Sequence, residues 1–396
     1  MAAENERRSK AIELMSSFGT RTGLVGSATP PRRYLWTDAF AVCNFLGLAE
    51  TSGEARLQEL ALRLIDQVHH ELGRHRADDR RKGWLSGLTG EDAEAHPTRG
   101  GLRIGKALPQ RDAGEPYDHD LEWERDGQYF HYLTKWMHAL DQTARWTGNA
   151  SFNVWACELA DVAHRAFAYG PRKDRRMRWK VSVDLSRSLV SSMGQHDPLD
   201  GFVTYEKLAV TSALLRAKGA TDLRAAIEDF AGMLDAASFV TTDPLGLGSL
   251  LVDACRLVQI ESSPELVAAL LASCVHGLRS FVAQRDLRAP AHIRLAFREL
   301  GLAIGLASLS ALEREPFARR LDAAAKASLQ ELDTYVPLRT EIESFWLLPY
   351  HREVPSWVDH ADINDVMLAT SLEPHGFLTL RVPKVRSAED AQRIGA

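Results

Sequence analysis

The sequence predicts an all-α protein, a closed double ring in which six outer helices pair with six inner ones as hairpins. Six stretches open on polar or small residues and run on as apolar helices dotted with Ala, Ser and Gly. Between them lie helices with one apolar stripe and one wet face. Strand-like alternation is confined to the tail 377–382. Each hairpin added to such a ring extends one shared core, so 396 residues with 45% hydrophobic content are expected to form a single domain, 1–396, rather than two or three.

Taken in order, a first outer helix ends near Glu13-Leu14-Met15, and the first inner helix opens at Trp36-Thr37-Asp38-Ala39-Phe40. The spacing Leu57, Leu60, Ala61, Leu64, Ile65, Val68, Leu72 marks a two-sided outer helix. The second inner helix opens at Asp126-Gly127-Gln128-Tyr129-Phe130 and is followed by an outer one at 151–168. Lys180-Val181-Ser182-Val183-Asp184 reads as the third inner opening, running through Ser186, Ser188, Ser191 and Ser192, with an extra helix at 205–218 and an outer one at 221–237. The fourth inner helix opens at Asp243-Pro244-Leu245-Gly246-Leu247, the fifth at Ala291-His292-Ile293-Arg294-Leu295 and the sixth at Ala361-Asp362-Ile363-Asn364-Asp365, with outer helices at 264–284 and 314–333. Small residues such as Ala39, Ala41, Gly246, Gly248, Gly301 and Gly305 predict close inner-helix contacts. Long segments at 19–35, 75–125 and 334–360 precede inner helices, while 195–220 follows one. Long ordered loops carry function and helix N-termini favour anions, so the working face is expected at the N-terminal ends of the inner helices.

Composition narrows the classes. A formal net charge of −5 offers no global field for nucleic acid. The basic runs Arg74-His75-Arg76 with Arg80-Arg81-Lys82, and Arg172-Lys173-Asp174-Arg175-Arg176, read as solvated loops. No apolar run is read as reaching the ~20 residues that span a bilayer, and the charged start Met1 to Arg8 lacks a secretion signal. Cys43, Cys157, Cys255 and Cys274 are widely spaced in apolar helices and read as buried free thiols of a reducing compartment. A cytoplasmic protein with no membrane and no nucleic-acid partner is expected. Oligomeric state is not written in the sequence.

The pattern resembles the six-hairpin, or (α/α)6-toroid, superfamily over nearly the whole chain. That superfamily includes many glycoside hydrolases, the N-acylglucosamine 2-epimerase group of sugar isomerases and some polysaccharide lyases. Trp36-Thr37-Asp38 resembles the Trp-x-Asp openings of toroidal glycosidases, without their following Arg-Asp pair. Phe345-Trp346-Leu347-Leu348-Pro349-Tyr350-His351-Arg352 resembles a Trp…Tyr-His segment near the end of the epimerases. The resemblance implies a carbohydrate-active enzyme, and His131 and His292 would stand for the epimerases' inner-helix histidines.

The richest chemistry lies in 117–132, where acids, histidines and rings crowd a loop entering an inner helix. Glycoside hydrolysis needs one protonated and one ionised carboxyl, and crowding under partial burial separates two pKa values. Aromatic rings suit the apolar faces of sugars. Asp38, Asp120, Glu122 and Asp126 are therefore the candidate catalytic acids, although Asp38 and Asp126 equally suit helix caps. Gln128, His131, Lys135 and His138 share a helix face at 3–4-residue spacing; Gln128, His131 and Tyr132 are candidate hydroxyl ligands, with His138 a core group. Trp36, Trp123 and Trp346 are candidate stacking platforms. Asp184 and Arg187 read either as an ion pair or as substrate ligands, and His351 as a ligand from the second polar–aromatic loop. No metal or cofactor signature emerges: Cys274-Val275-His276 lacks partners for zinc, and Gly246-Leu247-Gly248 lacks the lysine of a phosphate loop. The expected partner is a small-molecule or oligosaccharide substrate. Glycoside hydrolysis leads, ahead of sugar epimerisation by histidine and of a non-catalytic sugar- or protein-binding toroid.

Overall fold

The computed structural model describes residues 2–26, 30–236, 239–284 and 287–383; part of the 19–35 segment and residue 237 of the predicted 221–237 helix lie outside them. In chain order the helices are α1 (Ala2–Arg21), α2 (Leu35–Ser52), α3 (Ala55–Leu72), α4 (Gly90–Ala95), α5 (His119–Glu124), α6 (Phe130–Thr147), α7 (Ala150–Phe167), α8 (Asp197–Leu215) and α9 (Arg224–Ala231). There follow α10 (Pro244–Gln259), α11 (Pro264–Gln284), α12 (Ala296–Leu312), α13 (Phe317–Arg320), α14 (Ala323–Asp333), α15 (Pro337–Leu347), α16 (Pro355–Val358), α17 (Ala361–Leu372) and α18 (His375–Leu378). They pack as two compact units, one of Met1–Pro30, Gly47–Gln58 and Leu234–Thr379, the other of Pro31–Leu46, Glu59–Met233 and Leu380–Ala396.

Burial sorts the long helices as the composition predicts. Helices α2, α6, α10, α12 and α17 are buried along almost their whole length, and α8 over its first half, whereas α1, α3, α7, α9, α11 and α14 alternate buried and wet residues. Their boundaries follow from local chemistry. Asn149 and Asp243 accept the backbone amides of Ser151 and Gly246 at the starts of α7 and α10. Gly148, at φ 70°, closes α6 by returning its amide to the Ala144 carbonyl.

In the first unit the small residues do what close packing requires. A Cβ on Gly248 of α10 would lie 2.0 Å from the Gly301 carbonyl oxygen of α12, and one on Gly305 would lie 2.5 Å from the Gly248 Cα. These two helices therefore touch backbone to backbone. Two buried carboxylates of the unit are held by guanidiniums: Arg294 forks Glu299, and Glu343 is forked by Arg7 and met by Arg339 Nε. Helix α11, contrary to the sequence reading, is long and apolar enough by length and composition to cross a membrane; half of that stretch is buried against its neighbours in this unit. The predicted strand at 377–382 is replaced by the short helix α18 and irregular chain.

In the second unit α6 packs against α7 and α8. Among the described residues five short strands accompany it: β1 (Gln128–Tyr129), β2 (Ala168–Tyr169), β3 (Arg176–Met177), β4 (Lys180–Val181) and β5 (Ser188–Val190). Strands β1, β4 and β5 form one antiparallel sheet, with Gln128 opposite Val181 and Lys180 opposite Val190. The third inner helix predicted from Lys180 is thus a hairpin, and the buried helix is α8. The reason is turn chemistry: the Asp184 carboxylate accepts from Ser182 Oγ at 2.6 Å and Ser186 Oγ at 2.8 Å, local bonds that compete with helix formation. All four cysteines are buried and unbridged.

Candidate active site

The chemistry of the second unit gathers where α6 and α8 begin. Pro198 occupies the first turn of α8, which also carries Asp197 and Asp200, the pattern of a helix start. Both Asp200 oxygens accept from the Lys135 ammonium of α6, at 2.8 and 3.0 Å. Asp197 Oδ2 accepts the Gly194 amide at 3.2 Å, and Oδ1 lies 4.0 Å from His131 Nδ1. Burial, reinforced by the Asp200 charge, pushes the Asp197 carboxyl up to about 7. Two carboxyls one helical turn apart therefore differ in role, one inclined to hold a proton near neutrality and the other gripped by an ammonium.

His131 is the ring that faces them. Its Nδ1 accepts the Trp179 indole N–H at 3.2 Å, and because an indole can only donate, the ring proton belongs on Nε2. Burial holds its pKa down to about 4, yet 27% of the side chain meets solvent. The imidazole is thus deeply set yet still reaches solvent. Around it, Tyr129 stacks on His131 at 5.4 Å and tilts against Tyr132 at 5.2 Å, and Trp123 meets Trp179 edge-on at 4.7 Å. The Tyr132 and Tyr34 hydroxyls are 2.6 Å apart. Trp123 keeps 39% of its surface exposed, enough to offer a ring face.

The other sequence-chosen residues fall into place one by one. Asp38 is buried at the start of α2, where it accepts the Tyr34 amide at 2.8 Å and faces Arg33 at 3.5 Å. Its visible work is to hold the segment before α2 that presents Tyr34. Asp126, also buried, accepts Arg103 Nη1 at 2.6 Å and the Gly105 amide at 3.0 Å. It ties loops together and does not cap α6. Glu122 lies between Arg111, at 2.9 Å, and the buried Lys180, at 3.0 Å, while Asp120 is exposed on α5. Three of the four carboxylates chosen from the sequence thus carry internal ion-pair duties, Glu122 and Asp126 because the loop they crowd is a folded layer and not an open mouth.

Gln128 belongs to β1, not to the α6 face predicted for it. Its amide donates to the Gly100 and Val183 carbonyls and accepts the Leu102 amide, so both ends are spent on backbone. Trp36 is buried against Phe40 at 4.4 Å. His138 is fully buried beside Lys207, with Nδ1 and Nζ 2.5 Å apart, the core role expected of it. Asp184 and Arg187 do not pair with each other: Asp184 meets Arg81 at 2.7 Å, and Arg187 donates to the Arg111 carbonyl. In the first unit, Trp346 is fully buried with its indole donating to Glu299 at 2.9 Å, which leaves it no face for stacking on a sugar. His351 stacks on Phe345 at 3.7 Å and bonds the Phe345 carbonyl, and His292 is exposed in a turn before α12 rather than within it. Sequence reasoning missed Asp197, Asp200 and Trp179. The Asp-Pro start of α8 was the available signal, obscured once the helix had been placed at 180.

No protein-family model matches the chain, and no curated sequence matches it significantly. Comparison with solved structures does find neighbours. The structure is similar to that of a GH76 alpha-mannanase from Bacteroides thetaiotaomicron, with a TM-score of 0.55 at 8% identity over 93% of this chain and 96% of that one. A sugar epimerase from a ruminal bacterium follows at TM-score 0.46, 10% identity and coverage of 85% and 87%. A cellobiose 2-epimerase from Spirochaeta thermophila gives 0.45, 11%, 85% and 86%. The fold is the (α/α)6 toroid, as the resemblance of the sequence implied, and its structural neighbours act on carbohydrates.

Proposed function

We propose that this protein is a glycoside hydrolase in which Asp197 is the general acid and Asp200 the ionised partner. The observation that carries the reading is the Asp197–Asp200 pair itself: one carboxyl raised to about 7 by burial, the other held by Lys135. Asp197 gives its proton to the leaving glycosidic oxygen as the C–O bond breaks. Asp200 either takes a proton from the attacking water or bonds the anomeric carbon. Trp123 and Tyr129 would receive the apolar face of a sugar, and His131 would offer its Nε2 proton to a hydroxyl. The same geometry speaks against His131 as the base of an epimerase, since the Nδ1 lone pair already accepts from Trp179.

A panel of oligosaccharides tests the proposal, α-linked mannosides first because the toroid neighbour is an alpha-mannanase. Asp197→Asn should cost about 10²–10⁴-fold in turnover, the usual worth of a positioned acid; undiminished hydrolysis removes Asp197 from the mechanism. Running the panel in heavy water separates the chemistries. Deuterium on a sugar carbon of recovered cellobiose would move the assignment to epimerisation.

A further inference from the structure

Apart from the Asp197 pair, the second unit holds a cavity of about 900 Å³ whose lining carries no aromatic ring, a size ordinary for a small-ligand site. One wall is the 76–81 segment, another the loop around Gln110 and Asp112, and a third the 183–187 turn. Most of its charges answer one another. Arg76 forks Asp78, Arg81 forks Asp79 and crosses the cavity to Asp184 at 2.7 Å, and Arg125 forks Glu115. Two guanidiniums are left without a carboxylate among the described residues. Arg80 is exposed, and Arg187 is half-buried with a single side-chain bond, Nη2 to the Arg111 carbonyl at 2.8 Å. Against them stands one carboxylate outside these pairs, the exposed Asp112, and Arg81 serves two. Five guanidiniums thus face five carboxylates, and free donors rather than net charge set the lining's preference.

The turn that carries Arg187 is built rather than loose. Leu185 sits at φ 61°, a left-handed conformation costly for a branched side chain. Asp184 holds it there through Ser182, Ser186 and Arg81, while the Arg187 amide donates to Ser182 Oγ at 3.0 Å. Gln110 Oε1 accepts the Val183 amide at 2.6 Å, which commits the oxygen and leaves the amide's N–H groups to the cavity. A charged, ring-free lining with spare guanidinium donors suits an anion carrying hydroxyls better than the apolar face of a neutral sugar.

We propose that this cavity binds a saccharide bearing a carboxylate or phosphate group, with Arg187 as the chief anion partner, Arg80 adding charge, and Gln110 and Asp112 meeting hydroxyls. The saccharide half rests on the hydrolase reading; the anion half rests on the cavity alone. Calorimetric titration of the full chain with D-glucuronic acid, D-glucose 6-phosphate, D-glucose and inorganic phosphate tests both. Saturable binding of glucuronate or of the sugar phosphate, with D-glucose not binding, is the expected result, and the tighter of the two names the anion. Arg187→Gln should weaken that probe by about tenfold or more, while Arg172→Gln, in the exposed pair with Glu228, should leave it unchanged. Matching thermal melts by circular dichroism show that both variants fold. Failure of both charged sugars to bind, or equal binding in Arg187→Gln, overturns the proposal. Inorganic phosphate binding as tightly as either sugar overturns its saccharide half. Asp197→Asn should leave this titration intact, so a failed hydrolysis assay and a failed titration point to different sites.

Discussion

Replacing Asp197 by Asn should make the protein more stable at neutral and alkaline pH, by an amount that the burial of this carboxyl sets. The ordinary carboxyl value is 3.8 and the folded value about 7, and at 1.36 kcal/mol for each pH unit of difference the gap is worth up to about 4 kcal/mol. Between those two values the folded protein keeps a proton that the unfolded chain has released. Stability therefore falls as pH rises through the window, and the whole penalty is present above about pH 7. Asn mimics the protonated side chain. The variant and the wild type should match near pH 4 and diverge progressively, with the variant ahead by up to about 4 kcal/mol near pH 8. Urea midpoints across that range, read on the transition of the unit containing Asp197, measure the difference without any knowledge of the substrate. A gain that does not vary with pH, or a loss at every pH, would refute the claim that burial and the Asp200 charge raise this group. The same variant should be catalytically poor, so a functional site that costs stability would show itself in one substitution.

Other outcomes follow from single contacts. His131 has the opposite sign to Asp197: its folded value of about 4 lies below the ordinary 6.5, so its contribution is lost as pH falls through that interval, and His131→Gln should flatten the acid side of the stability profile in urea titrations. Arg103→Met removes the chief partner of the fully buried Asp126 and should cost about 3 kcal/mol or more by chemical denaturation; Asp126→Asn in the same background should recover part of that loss. Gly248→Ala places a methyl on the Gly301 carbonyl and should destabilise by about 3 kcal/mol, visible as a lowered melting temperature. Ala substitution at the exposed Gly53, where nothing meets the new Cβ, should cost less, only the strain of its positive φ.

How far the sequence could be read differs between core and site. Apolar periodicity and small-residue placement are local, and they located five of the six buried helices to within a few residues of α2, α6, α10, α12 and α17. The exception, 180–192, failed because a serine stretch has two physical meanings. Small side chains permit close helix packing, but Ser and Asp also bond their own backbone, and here the second use prevailed around Asp184 and Leu185. That one displacement hid Asp197 and Asp200, since their place at the first turn of α8 is evident only once α8 is placed. Aromatic character was legible at Trp123, Tyr129, His131 and Tyr132, which do assemble around one another. The acids among them were not, because crowding in sequence does not say whether a carboxylate meets a guanidinium, as Asp126 does Arg103, or another carboxylate.

The sequence alone determined the helical hairpins, their buried and wet faces and the close glycine contacts, because each depends on the order of residues along a few turns. Tertiary structure alone decided which charges are spent on holding the fold and which are left for chemistry. Pairing of that kind depends on partners far apart in the chain, as Lys135 is from Asp200 and Arg81 from Asp184, and no local pattern records it.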